Sequence, residues 1–105
     1  MSDNDTGNDT DLRTKTKPKV ERPRLHKVIL LNDDYTPREF VMLVLQAVFR
    51  MGEDEAYRIM ATAHTKGSCV VAVYTKDVAE TKVAEAMDLA QEAGHPLMFT
   101  TEPEE

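Results

Sequence analysis

The feature that most constrains this chain is an abrupt change of hydrophobic period between residues 25 and 49. Leu25 to Asn32 reads as a strand that ends in three consecutive polar side chains, Asn32, Asp33 and Asp34. Beyond Thr36-Pro37 the apolar residues Phe40, Val41, Val44, Leu45, Val48 and Phe49 recur at spacings of three and four, which predicts a helix from Pro37 to about Arg50 with one face in a core. Thr36-Pro37-Arg38-Glu39 has the form of a capping box. It predicts Thr36 as N-cap, Pro37 at the first helical position and Glu39 reaching back. In extended chain, side chains two apart point the same way, so Asn32 and Asp34 share one side and Asp33 takes the other. An amide oxygen beside a carboxylate suits a cation with several N–H donors.

The rest of the chain supplies a frame for that junction. Met51-Gly52 ends the first helix, and Asp54 is the expected cap of a second that runs to about Lys66 and closes on Gly67. On it Met60, Ala63 and His64 fall on one face. Ser68 to Thr75, with Val70, Val71, Val73 and Tyr74, predicts a second strand. Thr75 then caps a third helix, from Asp77 or Val78 to about Ala93, with Val78, Ala79, Val83, Ala86, Leu89 and Ala90 inward and Gly94 as its stop. His95 to Thr101 predicts a third short strand, leaving residues 102–105 as a frayed acidic end. The order β-α-α-β-α-β defines an α+β domain with helices on one face of a small sheet.

Length and charge narrow the function classes. The 105 residues, 41% hydrophobic, allow one domain and one modest core. No apolar run approaches the roughly 20 residues that span a bilayer, and the N-terminus has no apolar signal core, so a cytoplasmic protein away from membranes is expected. A monomer is expected as well. Cys69 is the only cysteine. It reads as a small buried hydrophobe in a strand. The net charge of −6 argues against nucleic acid as a partner. Four Asp occupy residues 1–11, and six Lys or Arg stand against Glu21 in residues 12–24, which leaves −7 for residues 25–105. Such an acidic domain suits a cationic ligand and a basic partner surface. Residues 1–24 hold only Leu12 and Val20 as sizeable apolar side chains after Met1, and are expected to form a flexible, disordered N-terminal extension.

The candidate polar groups for chemistry are Asn32, Asp33, Asp34, His64 and His95. A small hydrolase or metal enzyme built on Asp33, Asp34 and His64 is one reading. Against it, the chain has no nucleophile motif, no Gly-rich phosphate loop and no His/Cys cluster with ligand spacing, so neither catalysis nor a metal or other cofactor is expected. A binding module is the stronger class.

The segment Lys27 to Val41, KVILLNDDYTPREFV, resembles the signature of the ClpS family, bacterial adaptors that deliver N-degron substrates to a AAA+ unfoldase-protease. Met60 to Gly67 with His64, Val78-Ala-Glu-Thr-Lys-Val83 and Gly94-His-Pro-Leu-Met98 fit the same family in order, so the resemblance covers about residues 25 to 100. It implies a three-stranded antiparallel sheet against three helices in a core domain over 25–105. It also implies that Asn32, Asp34 and His64, with Asp33 alongside, hold a substrate's α-amino group. An ammonium has three donors, and these acceptors would satisfy all three, whereas an internal peptide bond offers one. The family's hydrophobic pocket for the first side chain corresponds here to Leu30, Val41, Met60, Ala63 and Leu97.

Arg38 is the clearest departure from the family, which often has Met at this position, at the pocket mouth. The resemblance implies ligands beginning with Phe, Tyr, Trp or Leu, and an N-terminal domain of a ClpA-type unfoldase docking on Tyr35, Thr36, Asp77, Glu80 and Lys82. Asp77 stands where a Glu is common. The N-terminal extension would take part in handover to the unfoldase. The alternative is a plain protein-interaction domain of ribosomal-stalk type, without an amino-acid pocket.

Overall fold

A computed structural model describes residues 22–105. The expected N-terminal extension lies, for residues 1–21, outside the described residues. Six elements follow in the predicted order: β1 Leu25–Leu31, α1 Arg38–Phe49, α2 Glu53–Lys66, β2 Ser68–Thr75, α3 Lys76–Ala93 and β3 Met98–Pro103. They form one antiparallel sheet with β1 in the centre, β2 on one side and β3 on the other. Val28, Leu30 and Phe99 turn inward and meet Val44, Leu45 and Val48 of α1, Ile59 and Met60 of α2, and the small residues Ala79, Ala86 and Ala90 of α3. Alanines on α3 let that helix lie close to the rest of the core. Phe49 and Phe99, with ring centroids 5.3 Å apart, close the end of α1 against β3.

One irregularity sets the sheet's register. Val28 pairs with Ala72 and Ile29 with Val70, so Val71 is an extra residue in β2. The bulge lets Val71 be buried while Val70 and Val73, on either side, remain exposed.

Four boundaries differ from the sequence expectation. The third strand starts at Met98 rather than His95, because its partner β1 ends at Leu31, opposite Met98, and Pro96 has no N–H to give a ladder. It also runs on to Pro103, since β1 reaches back to Leu25 and needs an opposite strand. The acidic end is therefore held, with Glu102 3.9 Å from the Lys27 ammonium and the Glu104 N–H donating to the Leu25 carbonyl at 2.7 Å. The capping box is absent: Pro37 takes the N-cap position without a side-chain cap, and the Thr36 hydroxyl donates elsewhere. Gly52, not Asp54, precedes α2, placing Glu53, Asp54 and Glu55 in a first turn where the helix dipole favours them. Thr75 precedes α3 as expected but makes no side-chain cap, and Val78, expected inward, is 42% exposed.

Candidate functional site

The exit of β1 and the end of α2 meet at one point. The Asn32 N–H donates to the Gly67 carbonyl at 3.0 Å, and Gly67 closes α2 in the left-handed region at φ +97°. His64 sits in the last turn of the same helix. This backbone link brings the acidic turn beside His64.

The turn itself is organised by Asp33. Its Oδ1 accepts the backbone N–H groups of Tyr35 and Thr36 at 2.8 and 2.7 Å, and its Oδ2 accepts the Thr36 hydroxyl at 2.9 Å. Burial pushes the Asp33 carboxyl up, but these Thr36 and Tyr35 donors, with the charge of nearby His95, outweigh it and hold it below the ordinary carboxylate range. Asn32 and Asp34 are exposed on either side while Asp33 is half-buried. Exposure alternates along the three residues, and Asp33 serves the loop.

A cavity of about 300 Å³ opens here. Asn32, Asp33, Asp34 and His64 line it together with Leu30, Arg38, Val41, Met60, Ala63 and Leu97, so every residue expected at the amino site or the pocket wall converges on it. Leu30, Val41, Met60, Ala63 and Leu97 are buried and form an apolar wall, and the polar group stands at the rim. Arg38, first residue of α1, is exposed at the mouth. The cavity also takes in Leu31, Tyr35, Thr36 and Pro37. Leu31 and Pro37 are lining residues that the sequence does not mark, because strand alternation turns Leu31 away from Leu30 and a proline in a cap carries no ligand signal. His95 is not among the lining residues. It packs on Phe40, ring centroids 4.7 Å apart.

The residues expected on the docking surface divide in two. Tyr35, 82% exposed, and the exposed Asp77 and Glu80 face solvent. Thr36 is buried with its hydroxyl on Asp33, and Lys82 is half-buried with its ammonium on the Val48 carbonyl at 2.9 Å. Among the described residues no group of three or more His, Cys, Asp or Glu could hold a metal ion, and no helix is long and apolar enough to cross a membrane.

A small α+β domain with a cavity walled by buried apolar side chains and rimmed by carboxylates and hydrogen-bond acceptors defines a binding module. The family model for the ATP-dependent Clp protease adaptor protein ClpS matches residues 21–100. Similar proteins include ATP-dependent Clp protease adapter protein ClpS 1 of Bradyrhizobium diazoefficiens, 66% identical over 91% of this chain and 95% of the relative. Another is ClpS 2 of Rhizobium meliloti, 62% identical over the full length of both chains. Among solved structures, Agrobacterium tumefaciens ClpS2 bound to L-phenylalaninamide superposes with a TM-score of 0.78. It is 69% identical, and the match covers 79% of this chain and all of that one. The chain belongs to the ClpS family of Clp protease adaptors, and it is an adaptor rather than an enzyme.

Proposed function

We propose that the cavity binds the free α-amino group and bulky hydrophobic first side chain of N-degron substrates, and that the protein delivers them to a ClpA-type AAA+ unfoldase-protease in the cytoplasm. The observation that carries this reading is the convergence of Asn32, Asp34 and His64 on one rim above a wall of Leu30, Val41, Met60, Ala63 and Leu97. The rim offers acceptors and negative charge, and the wall offers apolar contact. L-Phenylalaninamide, the ligand of the Agrobacterium relative, supports the reading: it has a free α-amino group, an aromatic side chain and an amide where a chain would continue.

In this reading the ammonium donates to the Asn32 oxygen, an Asp34 oxygen and an unprotonated ring nitrogen of His64. Asp33 holds the turn in shape. Seating one large side chain in the wall contributes roughly 1.5 to 3 kcal/mol, which selects against small first residues. The adaptor acts as a monomer. Tyr35, Asp77 and Glu80 form the exposed part of the unfoldase surface, with Thr36 and Lys82 behind it, and residues 1–24 assist handover.

Fluorescence anisotropy with peptides that differ only in their first residue, each with a free or an acetylated amino group, tests the pocket. Peptides beginning with Phe, Tyr, Trp or Leu should bind, and acetylation should abolish binding by removing the charge and adding bulk at the rim. Equal affinity for the acetylated peptide would rule out an ammonium receptor. No discrimination among first residues would favour the plain interaction domain.

A further inference from the structure

Two rings stand behind the cavity without lining it. Phe40, in the first turn of α1, packs on His95 of the loop between α3 and β3, with ring centroids 4.7 Å apart and planes tilted by 57°. Both side chains are half-buried, and neither belongs to the cavity lining. Each is nonetheless close in sequence to a residue that does: Phe40 directly precedes Val41, and His95 stands two residues before Leu97. The pair therefore joins the backs of two parts of the apolar wall, one carried by α1 and one by the loop.

The loop, residues 94–97, is anchored at both ends. Gly94 turns off α3 in the left-handed region at φ +79°, and the Gly94 and His95 N–H groups donate back to the Gln91 and Ala90 carbonyls at 3.1 and 2.9 Å. Pro96 has no N–H to give. At the far end the ladder holds Met98 opposite Leu31. These bonds fix where the loop leaves the helix and where it enters the sheet, but none of them runs to α1. The His95 ring supplies a connection in that direction, beside the buried Leu97.

We infer that His95 is a positioning residue for cargo selection: its ring, stacked on Phe40, sets the spacing between the Val41 and Leu97 sides of the pocket, so that it decides which first side chain fits without touching the cargo. The inference rests on the proposal that the cavity seats a first side chain. A close-packed wall discriminates among shapes because a misfit leaves a void or a clash. A wall free to shift discriminates less. The ammonium share of the affinity belongs to Asn32, Asp34 and His64 at the rim, and is common to all ligands.

The experiment uses the full chain and labelled peptides that differ only in beginning with Phe, Leu or Val, read by fluorescence anisotropy. An aromatic pair shifts an equilibrium by roughly two- to ten-fold, so His95→Ala should lower the Phe-to-Val affinity ratio by a factor in that range. The ratio is taken within one variant, so a partly unfolded sample scales both affinities alike and cancels. Phe40→Leu should lower the ratio as well, and the double variant should fall no further than the deeper single, since both remove one contact. His95→Phe keeps a ring without a charge. It should restore the ratio together with the Leu97 methyl resonances that His95→Ala displaces. An unmoved ratio in His95→Ala or additive losses in the double variant would overturn the positioning role. So would a His95→Phe that behaves like His95→Ala, which would assign the effect to the charge beside Asp33. If the unaltered chain does not distinguish Phe from Val, the pocket reading itself fails and the inference falls with it; if it does and His95→Ala keeps the same ratio, the inference alone is overturned.

Discussion

Asp33 and Thr36 are joined twice, the Thr36 N–H donating to one carboxylate oxygen at 2.7 Å and its hydroxyl to the other at 2.9 Å. Tyr35 adds a third donor at 2.8 Å. One acidic side chain thus shapes the turn between β1 and α1. Asp33→Ala removes an acceptor used three times, and hydrogen bonds to a charged group contribute about 1.5 to 3 kcal/mol when shielded. Partial exposure lowers this to an expected loss on the order of 1 kcal/mol. Peptide affinity should fall with it, because the rim loses its shape. Denaturant titration and peptide anisotropy check both. Weakened binding at unchanged stability would make Asp33 a direct ligand group instead.

The same carboxylate gives the fold an acid-sensitive increment. Its pKa is depressed on folding, so the stabilisation is fully present above the unfolded-state value, near 3.9, and is lost as pH falls through the lower folded value. Thermal midpoints followed from neutral pH downward should decline below about pH 4. Asp33→Asn should start lower and lose less over that range. Parallel curves for the two proteins would remove Asp33 from the acid response.

Arg38, at the mouth of the cavity, should tune selectivity. Its stem can lie along the apolar wall while the head reaches water. Stacked on an aromatic first residue, the guanidinium contributes roughly 0.5 to 2 kcal/mol, and Leu gains nothing comparable. Phe, Tyr or Trp peptides should therefore bind better than Leu, with Ile and Val poorest. Arg38→Met should raise Leu relative to Phe. A Leu-to-Phe affinity ratio that does not move would make Arg38 a solvated first-turn residue.

Two glycines offer a matched comparison. A Cβ on Gly52 or Gly67 would meet nothing within 4 Å, so neither substitution creates a clash. Gly67 has φ +97°, however, and Gly52 has φ −76°. Gly67→Ala should cost about 1 kcal/mol or more through backbone strain alone, while Gly52→Ala should stay within about half a kcal/mol. Midpoints of denaturant unfolding decide it. Equal effects would mean that the left-handed position carries no strain.

The period change at Asn32 to Asp34 and the glycines at 67 and 94 were enough to read the element order, because binary patterning and chain reversal are local properties. What escaped the sequence depends on a partner elsewhere in the chain. The third strand's ends follow from the length of β1, which His95 to Thr101 cannot express. Thr36 has the composition of a cap, yet its hydroxyl is drawn to Asp33, an equally local acceptor that the capping-box pattern does not weigh. Val71 looks like its neighbours, and only pairing with β1 makes it the extra residue. Lys82 reads as one more surface lysine until Val48 is placed beside it. The converging wall of Leu30, Met60 and Leu97 was likewise reachable only through the family resemblance, since each residue alone reads as plain core.

The bond from the Asn32 N–H to the Gly67 carbonyl gives the site a history as well as a shape. Asn32 and His64 belong to opposite arms of a long excursion through α1 and α2, and their neighbourhood exists only once β1 has paired with β2. Leu97, part of the same wall, arrives later still, after α3. If the cavity takes cargo as proposed, a chain growing from the ribosome is unable to seize it until Leu97 has been made, and a fragment that lacks β1, α2 or Leu97 keeps no working pocket. By the same coupling, cargo that binds only the closed state stabilises the whole domain by RT ln(1 + [L]/Kd), so a loaded adaptor resists the unfolding machinery better than an empty one.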